Sequence, residues 1–497
     1  MKHTKSADAR RRTAPPDPGR GTRSSKAATR KRRIDIYTID IGGGHIAPAQ
    51  AIKQQFDIRG DADLDVRVVN LGISLNATFL RFLYKFYWDK ALRYPPLINA
   101  FYRGADNPFL MKIADRILGI TTFPKFVRYL EREKPDVVVS TYFTFTHYLE
   151  MLRRVDQLDS TAVVLNPEPF DSHQIWFSPV FDWSMVFSRK SRDEIVEKGI
   201  PGHRVRVFPF PTKPSFARRT QSPATLRGRL GLEKKPFTVL FFFGAEGVGP
   251  VKKFLLALIE RRIALQAVVV CGKNEKLKVD IQKLAAGHTG ALTIQVRGFV
   301  VNLADYIAAA DVVVGKSGPN QVFETLLQNR PLVISSFLAN EKETTSWVIG
   351  NKLGWLTRSP AHLAALLSRL STHPQVLNSY QAAIRAMRLR SGAPQIAEFL
   401  AGLARQKRAP RKRPVADAIR RIKAGVDRVV AESGALSRKV IAEGEALGRR
   451  IEKSANVRRI ARSPAVRRAR VPLIALSRAA DRASRARAAS RAHRRAS

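Results

Sequence analysis

Short apolar runs recur along this chain, each ending in a turn of small residues and followed by a stretch whose apolar positions have helical spacing. The first, residues 34–40 (IDIYTID), leads into Gly42-Gly43-Gly44-His45, and a helical stretch from Ala47 to Phe56 follows. Runs at Val66–Val69, Val137–Ser140 and Ala162–Leu165 predict further strands. After the proline-rich 209–214 (PFPTKP) the pattern restarts, with strands predicted at Thr238–Phe243, Gln266–Cys271, Thr293–Val296, Asp311–Val314 and Leu332–Ser335. Near-continuous apolar strands alternating with helices belong to parallel sheets covered on both faces. The expected fold class is therefore α/β, with two doubly wound halves joined by a proline-rich hinge and a ligand cleft between them.

Composition sharpens this picture mainly through charge. The 497 residues carry a formal net charge of +46 and 44% hydrophobic residues, enough for two or three cored domains. Residues 1–33 hold 12 Lys+Arg against 2 Asp, and residues 405–497 hold 28 Lys+Arg against 7 Asp+Glu, so most of the excess lies in two tails. We expect 1–33 to be a disordered basic tail, since Arg mixed with Pro, Gly and Ser buries too little apolar surface to fold. Residues 34–212 and 213–404 are expected to form the two doubly wound domains. In 405–497, an Ala/Arg-rich tail, Val415, Ile419, Ile422, Val426 and Val429 mark a basic amphipathic helix. An anionic membrane surface is the first partner expected for such tails. Nucleic-acid phosphate is the second, though no aromatic residues are interleaved for base stacking. One cysteine, Cys271, excludes an intrachain disulfide and a cysteine-based zinc site. With no apolar run of membrane-spanning length and no apolar stretch behind the basic N-terminus, the expected location is cytoplasmic, peripheral on the inner face of the membrane.

Three predicted strands end in glycine-bearing loops before helices, where backbone N–H groups and a helix N-terminus favour an anion. None is GxxxxGK[ST], and none is GxGxxG followed by a ribose-binding acid, which argues against an NTPase or a simple dehydrogenase. Gly318-Pro319 sets proline at a helix start, and Glu324, about one and a half turns on, is placed to accept hydrogen bonds from a ribose diol. His45, directly after the glycines, is a candidate for proton transfer near neutrality. The loop 166–173 (NPEPFDSH) adds Glu168, Asp171 and His173 as a possible orienter or base, without the convergent spacing of a metal site, so no metal is expected.

Eight blocks in order carry a family resemblance: GGGHIAPAQAI (42–52), KPDVVVS (134–140), HQIWFSPVFDWSMVFS (173–188), VRVFPFPTKPSF (205–216), FFFGAEGVGP (241–250), VVVCGKNEKL (268–277), VRGFVVNLADYIAAADVVVGKSGPNQVFETL (296–326) and RPLVISSFLANEKET (330–344). Over roughly residues 34–400 the chain resembles the monogalactosyldiacylglycerol synthase and processive diacylglycerol glucosyltransferase group of glycosyltransferase family 28. The resemblance implies a GT-B fold, two Rossmann-like domains facing across a cleft, and an inverting UDP-sugar-dependent hexosyltransferase acting on a membrane lipid such as diacylglycerol. The donor substrate is the UDP-sugar, and no cofactor is implied. It also implies that His45 and Glu168 are catalytic. The uracil would lie by Gly298, Phe299 and Val300, with Glu324 at the ribose and the Gly318-Pro319 helix start at the diphosphate. Gly244, Glu246 and Gly247 would line the sugar side, with Ser317, Asn320 and Glu341 completing the nucleotide-sugar set. Gly43, Gly44 and His173 would meet the acceptor. Ile46 and Pro48 depart from the pattern on the acceptor side, as do Asn340, Glu341 and Lys342 in the donor-sugar block.

Residues 79–110 concentrate aromatics with Lys and Arg, and Trp88, Lys85, Lys90 and Arg93 are expected to face the membrane. Two other readings stay open. One is a polyprenyl-linked peptidoglycan precursor as acceptor, and the other a basic nucleic-acid-associated protein whose GT-B body is vestigial.

Overall fold

The computed structural model describes residues 30–39, 43–70, 123–154, 158–173, 176–216, 221–357 and 359–406. The segment with Trp88, Lys85, Lys90 and Arg93, most of the first tail and the amphipathic stretch of the second lie outside them.

The first lobe is a six-stranded sheet of β1 (Arg32–Thr38), β2 (Leu64–Asn70), β3 (Val137–Ser140), β4 (Thr161–Leu165), β5 (Trp183–Val186) and β6 (Val205–Val207), in the order β2-β1-β3-β4-β5-β6. The second contains β7 (Thr238–Phe242), β8 (Leu265–Val270), β9 (Leu292–Arg297), β10 (Val312–Lys316), β11 (Leu332–Ser336) and β12 (Gly354–Leu356), in the order β12-β11-β10-β7-β8-β9. Every pairing is parallel. The two expected doubly wound halves are therefore present. Three strands escaped the pattern: β5 and the three-residue β6 and β12, too short to show a period of their own.

The strand order explains where a ligand can bind. It reverses between β1 and β3 in the first lobe and between β7 and β10 in the second. At such a reversal the following helices diverge to opposite faces and leave a crevice beyond the strand ends. The glycine loops after β1, β7 and β10 all open onto these two crevices.

Packing joins the lobes at two places. Phe210 of the hinge stacks on Phe323 at 4.7 Å and 9°, Phe323 lies 5.7 Å from Trp347, and Trp347 stacks on Phe170 of the first lobe at 4.9 Å. The second place is the helix Ala393–Arg405, which follows the second lobe in the chain but returns to the first. Its Ile396, Ala397, Leu400, Ala401 and Ala404 lie in one core with Ile34, Ile36, Ala49 and Ile52. The two chain crossings are tied together, since the Ser391 hydroxyl accepts from Thr212 N at 3.0 Å and donates to Thr212 O at 2.9 Å. Arg405 pairs with Asp61 at 3.0 Å and Asp63 at 2.8 Å, but at this solvent-screened edge the apolar face of the helix, not the ion pairs, holds it in place.

Candidate active site

His45 occupies the position just before the helix Ile46–Arg59, after Gly43 in a left-handed conformation (φ 75°). Its Nδ1 lies 3.0 Å from the backbone carbonyl of Thr141, at the end of β3. A carbonyl oxygen only accepts, so Nδ1 carries the proton and Nε2 is left with a lone pair. The bond runs from the β1 loop to the β3 loop, across the crevice of the first lobe. Tyr142 meets the ring edge-on at 4.9 Å, and Trp176 lies at 5.4 Å. This surrounding holds the imidazole neutral. Desolvation pushes its pKa down to about 4, and the Thr141 bond only partly opposes that.

Glu168 follows β4 and is buried, and its backbone N–H donates to the Asn166 side chain at 3.0 Å. Its Oε1 accepts from Asn340 Nδ2 of the second lobe at 2.9 Å, while Oε2 is buried without a partner. Desolvation pushes this carboxyl up to about 8; Glu341 and Asp171 push the same way, against Asn340 and Lys316. The structure thus brings Glu168 against the donor-side loop, whereas His45 bonds within its own lobe. His173 is buried near the start of the Trp176 turn, its carbonyl accepting from Trp176 N at 3.2 Å.

In the second lobe the loops after β7 and β10 meet across the other crevice. Gly315 is required by contact: a Cβ there would sit 1.8 Å from Gln321 Nε2 and 2.4 Å from Phe242 O. Gly247 is required twice over, since its φ is 58° and a Cβ would lie 1.9 Å from the Cys271 carbonyl. Gly244, also left-handed at φ 77°, faces Lys316. Lys316 Nζ pairs with the buried Glu341 Oε1 at 3.2 Å, while Glu341 Oε2 accepts from Leu338 N at 3.0 Å. A Cβ on Gly318 would come within 3.1 Å of Glu341 Oε1, so Lys316, Gly318 and Glu341 form one cluster. Ser317 is buried beside it, accepting from the Thr345 hydroxyl at 2.7 Å.

The helix Pro319–Leu327 starts at this cluster with proline in its first turn. Asn320 reaches across to the first lobe, where its Nδ2 donates to the carbonyls of Gly44 at 3.2 Å and Gly43 at 3.3 Å. The loop carrying His45 is thereby tied to the helix start. Glu324 lies buried on the same helix, and desolvation pushes its carboxyl up to about 8 against the pull of Lys213. Gly298 adjoins the Lys278 side chain, Phe299 is 60% exposed, and Val300 packs on the second lobe's core. Glu246 lies out on the rim, 3.6 Å from Lys273.

Most of the residues singled out in the sequence therefore gather at facing crevices, while Phe299 and Glu246 sit at the margins. Sequence reasoning missed Lys316, although a single cation inside a glycine loop is a readable signal. It also missed Thr141, which acts through a backbone carbonyl and leaves no signal. Asn340 was noted as a departure, but its bond to Glu168 spans 172 residues and has no local signature. Among the described residues, no group of three His, Cys, Asp or Glu is arranged to hold a metal ion.

Comparison with known proteins agrees with this architecture lobe by lobe. The monogalactosyldiacylglycerol (MGDG) synthase family model matches residues 45–212, and the glycosyltransferase family 28 C-terminal domain model matches residues 250–351. The chain is 25% identical over 350 residues to the chloroplastic monogalactosyldiacylglycerol synthase of Spinacia oleracea, covering 68% of this chain and 66% of the relative. It is 27% identical over 363 residues to the chloroplastic monogalactosyldiacylglycerol synthase 2 of Arabidopsis thaliana, covering 68% and 74%. The crystal structure of MurG from Acinetobacter baumannii superposes with a TM-score of 0.50 at 14% identity, covering 75% of this chain and 99% of that one, a likeness of fold. Two facing lobes, each matched in order by its own family model, make the chain a monogalactosyldiacylglycerol synthase-like glycosyltransferase of family 28, with the GT-B fold.

Proposed function

We propose that this enzyme transfers a hexose from a UDP-sugar to the free hydroxyl of diacylglycerol, inverting the anomeric centre and releasing UDP. The observation that carries the reading is the Asn320 contact with Gly43 and Gly44, at 3.3 and 3.2 Å, because it sets the candidate base opposite a helix N-terminus. The donor diphosphate lies at the start of Pro319–Leu327, where free backbone N–H groups and the helix dipole supply roughly half a positive charge. Lys316, held by Glu341, presents its ammonium on the side where UDP departs, and a preorganised donor of this kind stabilises a leaving anion. Glu324 holds the ribose, and the Gly298–Val300 turn the uracil.

His45 Nε2 takes the acceptor proton as the acceptor oxygen bonds to C1 and the C1–phosphate bond breaks. A free-enzyme pKa of about 4 makes a weak base, and the incoming diphosphate raises it towards neutrality. Glu168 retains its proton near neutrality. Asn340 occupies Oε1, so that proton sits on the unpartnered Oε2 and donates to a substrate hydroxyl in the cleft. The names of the plant relatives support galactose as the sugar and diacylglycerol as the acceptor.

We place the enzyme on a membrane surface. Among the described residues no helix is long and apolar enough to cross a membrane, and the charge of +46 favours anionic lipid. Incubation with UDP-galactose or UDP-glucose and diacylglycerol vesicles, with UDP release and glycolipid measured together, tests the reading. Turnover with diacylglycerol supports it. Turnover only with a polyprenyl-linked precursor, or none with any UDP-sugar, rejects it.

A further inference from the structure

Behind the cleft, at the other end of the Pro319–Leu327 helix, lies a cavity of about 330 Å³. Nine helical residues rise about 12 Å, so it is distinct from the helix start where the donor is placed. It sits between the two chain crossings of the hinge, Thr212–Pro214 on one side and 388–391 on the other. Lys213, Arg385, Arg388 and Arg390 line it, with Leu326 and Ile384 among its apolar walls, and no carboxylate lines it among the described residues.

The simplest alternative is that these cations only balance helix dipoles. The helices Pro319–Leu327 and Pro374–Ala386 both end nearby, and each C-terminus contributes about half a negative charge. Counting Glu324, which interacts with Lys213, as fully ionised, the four cations still leave an excess of about two positive charges. That exceeds what dipole compensation requires. Arg385 is also aimed by its surroundings: with the Asn329 amide in its hydrogen-bonded orientation, Arg385 Nη1 donates to it at 3.1 Å.

We propose that this hinge cavity binds a phosphate-bearing anion. Guanidinium forks match tetrahedral oxyanions, and three solvent-exposed arginines share the lining of this one pocket with Lys213. The volume is ample for a phosphoester, with its non-ionic part against the apolar wall. A ligand bridging the two crossings stiffens the hinge that the Ser391–Thr212 tie already closes. The binding site stands independently of which sugar or acceptor the cleft uses.

The test is calorimetric titration of the full chain with inorganic phosphate and with glycerol 3-phosphate, in chloride buffer of matched ionic strength. Three proteins are compared: wild type, Arg385→Gln/Arg390→Gln, and the tail variant Arg458→Gln/Arg459→Gln. The cavity variant leaves Arg388, whose φ is 46°, untouched, and circular dichroism checks its fold. Saturable one-to-one binding by wild type and tail variant, weakened at least about tenfold in the cavity variant, supports the site. Equal binding by all three, or no saturable binding, overturns it. Displacement of phosphate one-for-one by UDP overturns it as well, since the anion then sits in the donor site. Vesicles of phosphatidate in phosphatidylcholine separate the sources: if they displace phosphate from wild type the ligand is a lipid headgroup, and if they bind without displacing it the ligand is a free phosphoester.

Discussion

At the residue scale, the site depends on protonation states fixed by burial. Asp35, Glu168 and Glu324 are held above the usual carboxylate range, at about 6, 8 and 8, chiefly by desolvation. The folded protein therefore binds protons that the unfolded chain releases near pH 4, so stability falls as pH rises from there to about 8. Glu168→Gln with Glu324→Gln removes the share of the two glutamates and leaves that of Asp35, flattening a slope of up to about 1.4 kcal/mol per pH unit per carboxyl. Urea unfolding at pH 5 and pH 8 measures it, and an unchanged slope would show that the two carboxyls ionise normally. His45 works in the opposite direction, since its folded pKa of about 4 lies below the unfolded value, so its contribution is lost as pH falls from about 6.5 to 4. In turnover, His45→Ala should lower kcat by about 10²–10⁴ while leaving UDP affinity within a few-fold. Weakened UDP binding of the same size as the kcat loss would place His45 in donor binding instead. The residue types at this site were readable from chemistry and spacing. Their pairings were not, because Thr141 and Asn340 reach their partners over 96 and 172 residues.

At the scale of elements, nine strands were legible because each is an apolar run closed by a turn. β5, of four residues, and β6 and β12, of three each, were not. The return of Ala393–Arg405 to the first lobe was equally hidden, since its apolar stripe fits either core and only tertiary packing chooses. That choice has a measurable consequence. Leu400 is fully buried among first-lobe residues, so Leu400→Ala should destabilise by about 2–5 kcal/mol. A loss below 1 kcal/mol in urea unfolding would mean the helix is dispensable to the first lobe. Asn320 offers the complementary test, because it ties two loops without belonging to either core. Asn320→Ala should leave the unfolding midpoint nearly unchanged but raise KM for the donor several-fold, as the loops lose their register. If stability falls and KM holds, the contact is structural rather than a positioning device.

At the scale of the whole molecule, charge separates two ways of meeting a membrane. A basic residue near an anionic surface contributes about 1 kcal/mol, so reversing Lys85, Lys90 and Arg93 to glutamate should weaken binding by several kcal/mol. The 28 Lys+Arg of residues 405–497 could mask that loss entirely in the full chain. The comparison therefore needs the triple reversal both in the full chain and after removal of residues 407–497. If the aromatic segment docks the enzyme, the truncated wild type still sediments with phosphatidylglycerol vesicles and the truncated triple variant does not. Salt distinguishes the two modes further. Attachment through the tail is dispersed over many charges and should weaken steeply once the screening length falls to about 8 Å near physiological ionic strength, whereas aromatic insertion at Trp88 keeps its apolar part. Release of the truncated wild type from vesicles at low salt would leave the tail as the attachment device, and the lipid acceptor would then have to reach the cleft from a body held only through its C-terminal arm.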